Sequence, residues 1–179
     1  MKSVLISIHP KWCEKILSGE KTIEVRKTAP KEVPFKVYIY ETKAATETPW
    51  ADEDGHLVFK GRGKVIGEFI CDSVTKYPYE LIADGSHLMP YGDLEKTCLD
   101  GWKLYDYLRG KDGYGWHISG LKFYDKPKRL SEFYAKCTVS DKKCRLCENC
   151  YNRENPYGRD YAVKKIARPP QNYMFIDDL

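Results

Sequence analysis

The chain has 179 residues, 42% of them hydrophobic and 31% charged, and carries a net charge of +4. That composition excludes a disordered or fibrous chain, and the length suffices for one buried core. The opening MKSVLISIHP holds a short apolar run broken by Ser3 and Ser7. It is too short for a membrane span or a signal peptide and points to a cytoplasmic protein.

SVLISI reads as a first strand, rich in β-branched residues. HPKWCEKILSG follows as a helix, with Pro10 suited to the first turn and Gly19 to the left-handed position after the last. Cys13, Ile16 and Leu17 share one face of it. KTIEVRK and FKVYIYET alternate as strands. Residues 44–62 form a long acidic excursion with a short strand expected at HLVF. GKVIGEFICDSV is a strand whose Gly67 marks a bulge or a bend.

Asp100 caps a helix that reaches Leu108 and stops at Gly110. Leu94, Cys98, Trp102 and Tyr105 fall at helical spacing around it. GYGWHISGLKFYDKP is a strand pair or one bent strand, LSEFY a short helix, and RPPQNYMFI a closing strand. Many strands and few helices, with no βαβα rhythm, predict an α+β fold. A small, mostly antiparallel β-barrel flanked by short helices would hide the strand edges. We expect a single domain over residues 1–179, with residues 134–166 as a cysteine-rich insertion.

Lys21, Glu24 and Arg26 sit at the seam between the first helix and the second strand. Side chains alternate along a strand, so Ile23 and Val25 face a core while Thr22, Glu24 and Arg26 face the other way. One reading is a solvated edge strand with an exposed Glu–Arg pair, worth about 0–1 kcal/mol. The other is a polar pocket. Arg26 would fork onto phosphate or a base edge, Glu24 would accept a proton or a hydrogen bond, and Lys21 would act as nucleophile, base or charge stabiliser. Ser7 and His9 near the end of the first strand, and Tyr40 and Thr42 on one face of the third, are candidates to complete it. Trp12, Trp116 and Tyr173 are candidates to stack on a base, or else fill the core. His117 is expected to be structural and His56 merely exposed.

Cys137, Cys144, Cys147 and Cys150 form a C-x6-C-x2-C-x2-C run. Four thiolates at that spacing predict a structural zinc, with an iron–sulfur cluster or free thiols as rivals. Cys13, Cys71 and Cys98 fit core positions. Residues 122–168 carry thirteen Lys/Arg against six Asp/Glu, a basic stretch suited to phosphates or simply to solvent.

SIHPKWCEKILSGEKTIEVRK resembles the opening of ASCH domains, members of the PUA-like superfamily. The family pattern G-x-K-x-x-E-x-R is matched at Gly19, Lys21, Glu24 and Arg26. VYIYET, GKVIGEFICDSV, GYGWHISGLKFYDKP and RPPQNYMFI continue the likeness to bacterial and phage members over about two thirds of the chain. The resemblance implies a β-barrel whose cleft is lined by that motif, and RNA-related roles. Some relatives hydrolyse N4-acetylcytidine and some are ribonucleases. The amidohydrolase branch has a lysine matching Lys21, a threonine where this chain has Glu24, and a further glutamate for which Glu68 and Glu80 are candidates. The leading expectation is an RNA-associated domain whose cleft binds a nucleobase or nucleotide. The alternatives are a hydrolase acting on RNA or a modified nucleoside, and a zinc-stapled protein-interaction module.

Overall fold

The computed structural model of the chain describes residues 1–51, 57–79, 93–135 and 164–176, the side chains of 45–51, 57–59 and 164 excepted. The elements run β1 (Lys2–Ile8), α1 (Pro10–Leu17), β2 (Ile23–Arg26), β3 (Phe35–Glu41), β4 (Ala45–Ala51), β5 (Leu57–Lys60), β6 (Val65–Cys71) and β7 (Val74–Tyr77). A 3₁₀ turn at Glu95–Thr97 precedes α2 (Gly101–Leu108), β8 (Gly113–His117) and β9 (Ser119–Lys128). A second 3₁₀ turn (Leu130–Glu132) leads to β10 (Tyr134–Ala135), then β11 (Lys164–Lys165) and β12 (Tyr173–Ile176). The expected helix at LSEFY is therefore only a 3₁₀ turn.

Seven strands form one sheet in the order β11-β10-β12-β1-β3-β6-β9. A second sheet has the order β2-β8-β7, and β4 pairs with β5. The β1–β3 ladder is parallel, and the other ladders among the described residues are antiparallel. The α+β class is as expected, but the closed barrel is not. Among the described residues, the ladders do not return from β9 to β11. GYGWHISGLKFYDKP is a strand pair that divides between the two sheets, with Ile118 as the joint. The open edge at β9 is instead protected by Lys122, Asp125, Lys126, Pro127 and Lys128, which disfavour pairing with another chain.

Gly67 sits where the β6–β9 register shifts, as a bulge. A Cβ there would lie 2.5 Å from the Lys122 carbonyl, so only glycine allows the two strands to approach. Gly19 takes φ +78 after α1, as its position demands. Asp100 caps α2 by accepting the Lys103 N–H at 2.8 Å, and Arg109 and Gly110 both turn left-handed at its end.

Three apolar clusters result. Val4, Ile6, Ile8, Val37, Ile39 and Phe69 line one face of the large sheet, where α1 contributes Cys13 and Ile16 and the small sheet contributes Trp116. The opposite face holds Leu5, Tyr38, Tyr40, Phe133 and Ile176. Val25 and Tyr77 on the outer face of the small sheet meet Leu104 and Leu108 of α2. The expected helix faces shift accordingly. Leu17 is 58% exposed, and Leu104 and Leu108 take the buried face of α2 while Trp102 is exposed.

Candidate functional site

All four residues of β2 are buried, which overturns the solvated-edge reading. The strand lies at the edge of its sheet, but the 3₁₀ turn at 95–97 covers it: the Thr22 N–H donates to the Lys96 carbonyl. Ile23 and Val25 enter the core as parity requires. Glu24 lies opposite Trp116 and Arg26 opposite Tyr114 across the β2–β8 ladder, so their side chains share the face that meets the large sheet.

Lys21, Glu24 and Arg26 converge there as a buried chain of ion pairs. Glu24 Oε1 receives Arg26 Nη2 at 2.9 Å, and Lys21 Nζ lies 3.4 Å from Glu24 Oε2. The ammonium also donates to the Ile23 carbonyl at 2.9 Å and the Thr97 carbonyl at 2.7 Å. Arg26 donates from Nη2 to the Ser7 carbonyl at 2.7 Å. The β1–β12 ladder ends at Ile6 and Tyr173, so Arg26 takes up the strand's next carbonyl. Arg26 Nε and the indole Nε1 of Trp116 are buried and find no acceptor among the described residues. Two cationic groups thus face one carboxylate in a water-poor setting, a formal surplus of one positive charge.

One aromatic ring lies against this row, and a second lies nearby. Trp12 is half-buried, with Lys21 Nζ 5.2 Å from its ring centroid. Tyr107, at the end of α2, carries Lys27 Nζ 5.2 Å over its ring. Burial raises the Tyr107 phenol above its ordinary pKa, while Arg26 lowers it and Glu24 raises it. Nothing in the local pattern of α2 distinguishes Tyr107 from Tyr105, and only the tertiary fold selects it.

The side chains of the remaining predicted residues make no hydrogen bond or ion pair with this cluster among the described residues. Trp116 is fully buried and packs edge-on against Phe35 at 5.0 Å and Tyr173 at 5.5 Å, so it is a core residue. Ser7 turns its hydroxyl to the Pro170 carbonyl at 2.7 Å. His9 caps α1 through its backbone carbonyl, and its Nδ1 is buried without a partner among the described residues. Tyr40 packs on the far face of the large sheet, and Thr42 lines a depression beside it. Glu68 is also on the far face, where it accepts the Tyr124 hydroxyl. His117 bonds Thr75 Oγ1 at 2.7 Å, a structural role. Cys137, Cys144, Cys147, Cys150, His56 and Glu80 lie outside the described residues. Among the described residues, no group of three or more His, Cys, Asp or Glu side chains is placed to hold a metal.

Glu41 is a residue that sequence reasoning misses. It is 1% exposed at the end of β3 and receives the Arg62 backbone N–H at 2.7 Å, with the Arg62 guanidinium 3.4 Å away. Its only sequence signal is a charged residue at a core-facing position of FKVYIYET. Burial raises the Cys13 thiol well above its ordinary pKa, and Glu41 and Glu24 push it further. Burial likewise pushes Cys71 up to about 12. At pH 8 iodoacetamide should leave both thiols unlabelled in the native protein and label both in urea, as read by peptide mass spectrometry. A raised thiol pKa favours the folded state below the unfolded value and is lost as pH rises through the folded one. Stability should therefore fall above about pH 9. Rapid native labelling of either thiol would contradict the placement.

The ASCH domain family model matches residues 6–107, which include β1, α1 and the whole Lys21–Arg26 motif. Among solved structures, the chain is similar to ASCH from Zymomonas mobilis, with 16% identity and a TM-score of 0.55 over 98% of this chain and 88% of that one. A single-substitution variant of the same protein, ZmASCH, gives 16% identity and a TM-score of 0.56, covering 99% and 91%. No curated protein matches the chain. No helix among the described residues is long and apolar enough to cross a membrane. ASCH domains are PUA-like and generally bind RNA. With more than half its length matched by that model, and with the structure of the ZmASCH chains as its neighbours, this chain belongs to the ASCH domain family.

Proposed function

We propose that the chain is an RNA-associated binding domain that takes a nucleobase or nucleotide beside the Lys21–Glu24–Arg26 row. The observation that carries this reading is a buried positive surplus with the Trp12 ring over Lys21 and the Tyr107 ring nearby. Such a surplus favours an anionic partner, and its desolvation strengthens the attraction. Trp12 and Tyr107 offer ring faces for a base, and stacking is tolerant of sequence because every base has a π-face. Convergent polar groups in a mostly apolar setting are also the usual composition of a ligand site. Lys21 supports binding over turnover, because two carbonyls hold its ammonium and Glu24 pairs with its charge.

Anisotropy titration of a labelled single-stranded RNA tests the reading. Affinity should fall as salt rises. Trp12→Ala and Tyr107→Ala should each cost about 1–3 kcal/mol of binding, the worth of one stacked base. Both side chains are partly exposed, so the melting temperatures of the variants should stay close to that of the unaltered chain. Undiminished RNA affinity in both variants refutes the cleft as the binding site.

A further inference from the structure

The end of β3 opens onto a depression of about 410 Å³ on the face of the large sheet away from Lys21. Its size is within the roughly 300–1,000 Å³ of typical ligand pockets. Tyr40, Thr42 and Lys43 supply its polar wall, and Leu130, Ala167 and Pro169 its apolar one. None of the lining residues among the described ones is acidic. The Thr42 hydroxyl is buried and has no hydrogen-bond partner among the described residues. Tyr40 is 5% exposed, and burial raises its phenol above the ordinary pKa, so the hydroxyl stays a donor.

The Lys43 stem runs over Gly63. Gly63, at φ +65, lies directly beneath it, and a Cβ there would come within 2.5 Å of both Cγ and Cε of the lysine. The glycine thus lets the stem lie flat across the floor of the depression. Lys43 pairs with no carboxylate among the described residues. Basic side chains adjoin the lining at three further places: Lys64 follows Gly63, Arg129 precedes Leu130, and Arg168 stands between Ala167 and Pro169, all exposed.

We propose that this depression is a second nucleotide site, in which one nucleotide of a single-stranded RNA lays its base on the Leu130–Pro169 wall and its phosphate on Lys43. The inference rests on the RNA reading above and adds a location that the Lys21 motif does not supply. Thr42 and Tyr40 donate to the carbonyl or ribose oxygens of that nucleotide. Lys64, Arg129 and Arg168 track the neighbouring phosphates. The two sites meet at the end of β1, where Ser7 gives its carbonyl to Arg26 and its hydroxyl to Pro170, the residue after the wall.

The test titrates a labelled oligouridylate against the full chain and its Lys43→Ala and Thr42→Val variants at several salt concentrations. Lys43→Ala should weaken binding and reduce the slope of log affinity against log salt by about 0.7, the share of one phosphate on a single strand. Thr42→Val keeps the shape and removes the hydroxyl, so affinity should fall with the slope unchanged. Lys43 is exposed, which keeps its variant folded. If both variants match the unaltered chain in affinity and slope while RNA still binds, the second site is overturned and the Lys21 cleft stands. If the unaltered chain binds no RNA, both are overturned.

Discussion

Glu24→Gln should lower the unfolding free energy by about 3–5 kcal/mol in urea denaturation, because it leaves buried charges without their counter-charge. Glu24 is 7% exposed, Lys21 3% and Arg26 6%. The substitution keeps the shape and removes only the charge, so two cations would face a neutral amide whose NH₂ end is itself a donor. The Lys2–Glu32 pair is the control. It has a closer approach, 2.7 Å, yet its side chains are 52% and 72% exposed. Glu32→Gln should therefore leave the unfolding free energy nearly unchanged, because solvent screens that pair. Burial, not distance, separates the two outcomes. Replacing the whole row at once (Lys21→Met, Glu24→Leu and Arg26→Met together) should recover most of the lost stability, since apolar substitutes for a buried ion network are often neutral or better. It should also abolish RNA binding at the cleft. A Glu24→Gln protein as stable as the unaltered chain would show that the row is solvated.

Trp116→Ala should cost about 3–5 kcal/mol, the usual penalty for emptying an aromatic site in a core. Its indole is fully buried where the small sheet meets the large one, and touches Phe35 and Tyr173 edge-on. It also stands opposite both Glu24 and Val74 across the β8 ladders. The cavity would therefore open beside the polar row and loosen Arg26 as well as the core. Trp116→Phe keeps an edge-to-face contact with Phe35 and should cost less. Chemical denaturation of the two variants checks the order. A loss below about 1 kcal/mol for Trp116→Ala would place the indole at the surface.

Much of this arrangement is legible in the residues. The strand parity of KTIEVRK correctly sorts Ile23 and Val25 from Glu24 and Arg26, and Gly19, Gly67 and Asp100 mark a turn, a bulge and a cap through local chemistry alone. Burial of the charged row is not legible, because it depends on the 95–97 turn closing over β2 from a distant part of the chain. For the same reason Tyr40 and Thr42 look like neighbours of Lys21. They share a face with each other, but the large sheet stands between Tyr40 and the cleft. Barrel closure fails as an inference because edge strands have two remedies, and β9 uses charge and proline rather than pairing. Glu41 and Tyr107 escape notice since their significance comes only from what the fold brings beside them.

The place of β1 has a consequence for how the chain is made. Its ladders run to β3 on one side and to β12, at residues 173–176, on the other. β1 is thus among the last strands to be completed, since its second partner is synthesised far later in the chain. Pairings of such long sequence separation fold slowly, because loop closure precedes any gain from contact. Until then SVLISI presents an apolar edge, the kind of segment that recruits other chains. Expression yield should accordingly depend on temperature and on chaperone capacity more steeply than the finished protein's stability alone would suggest.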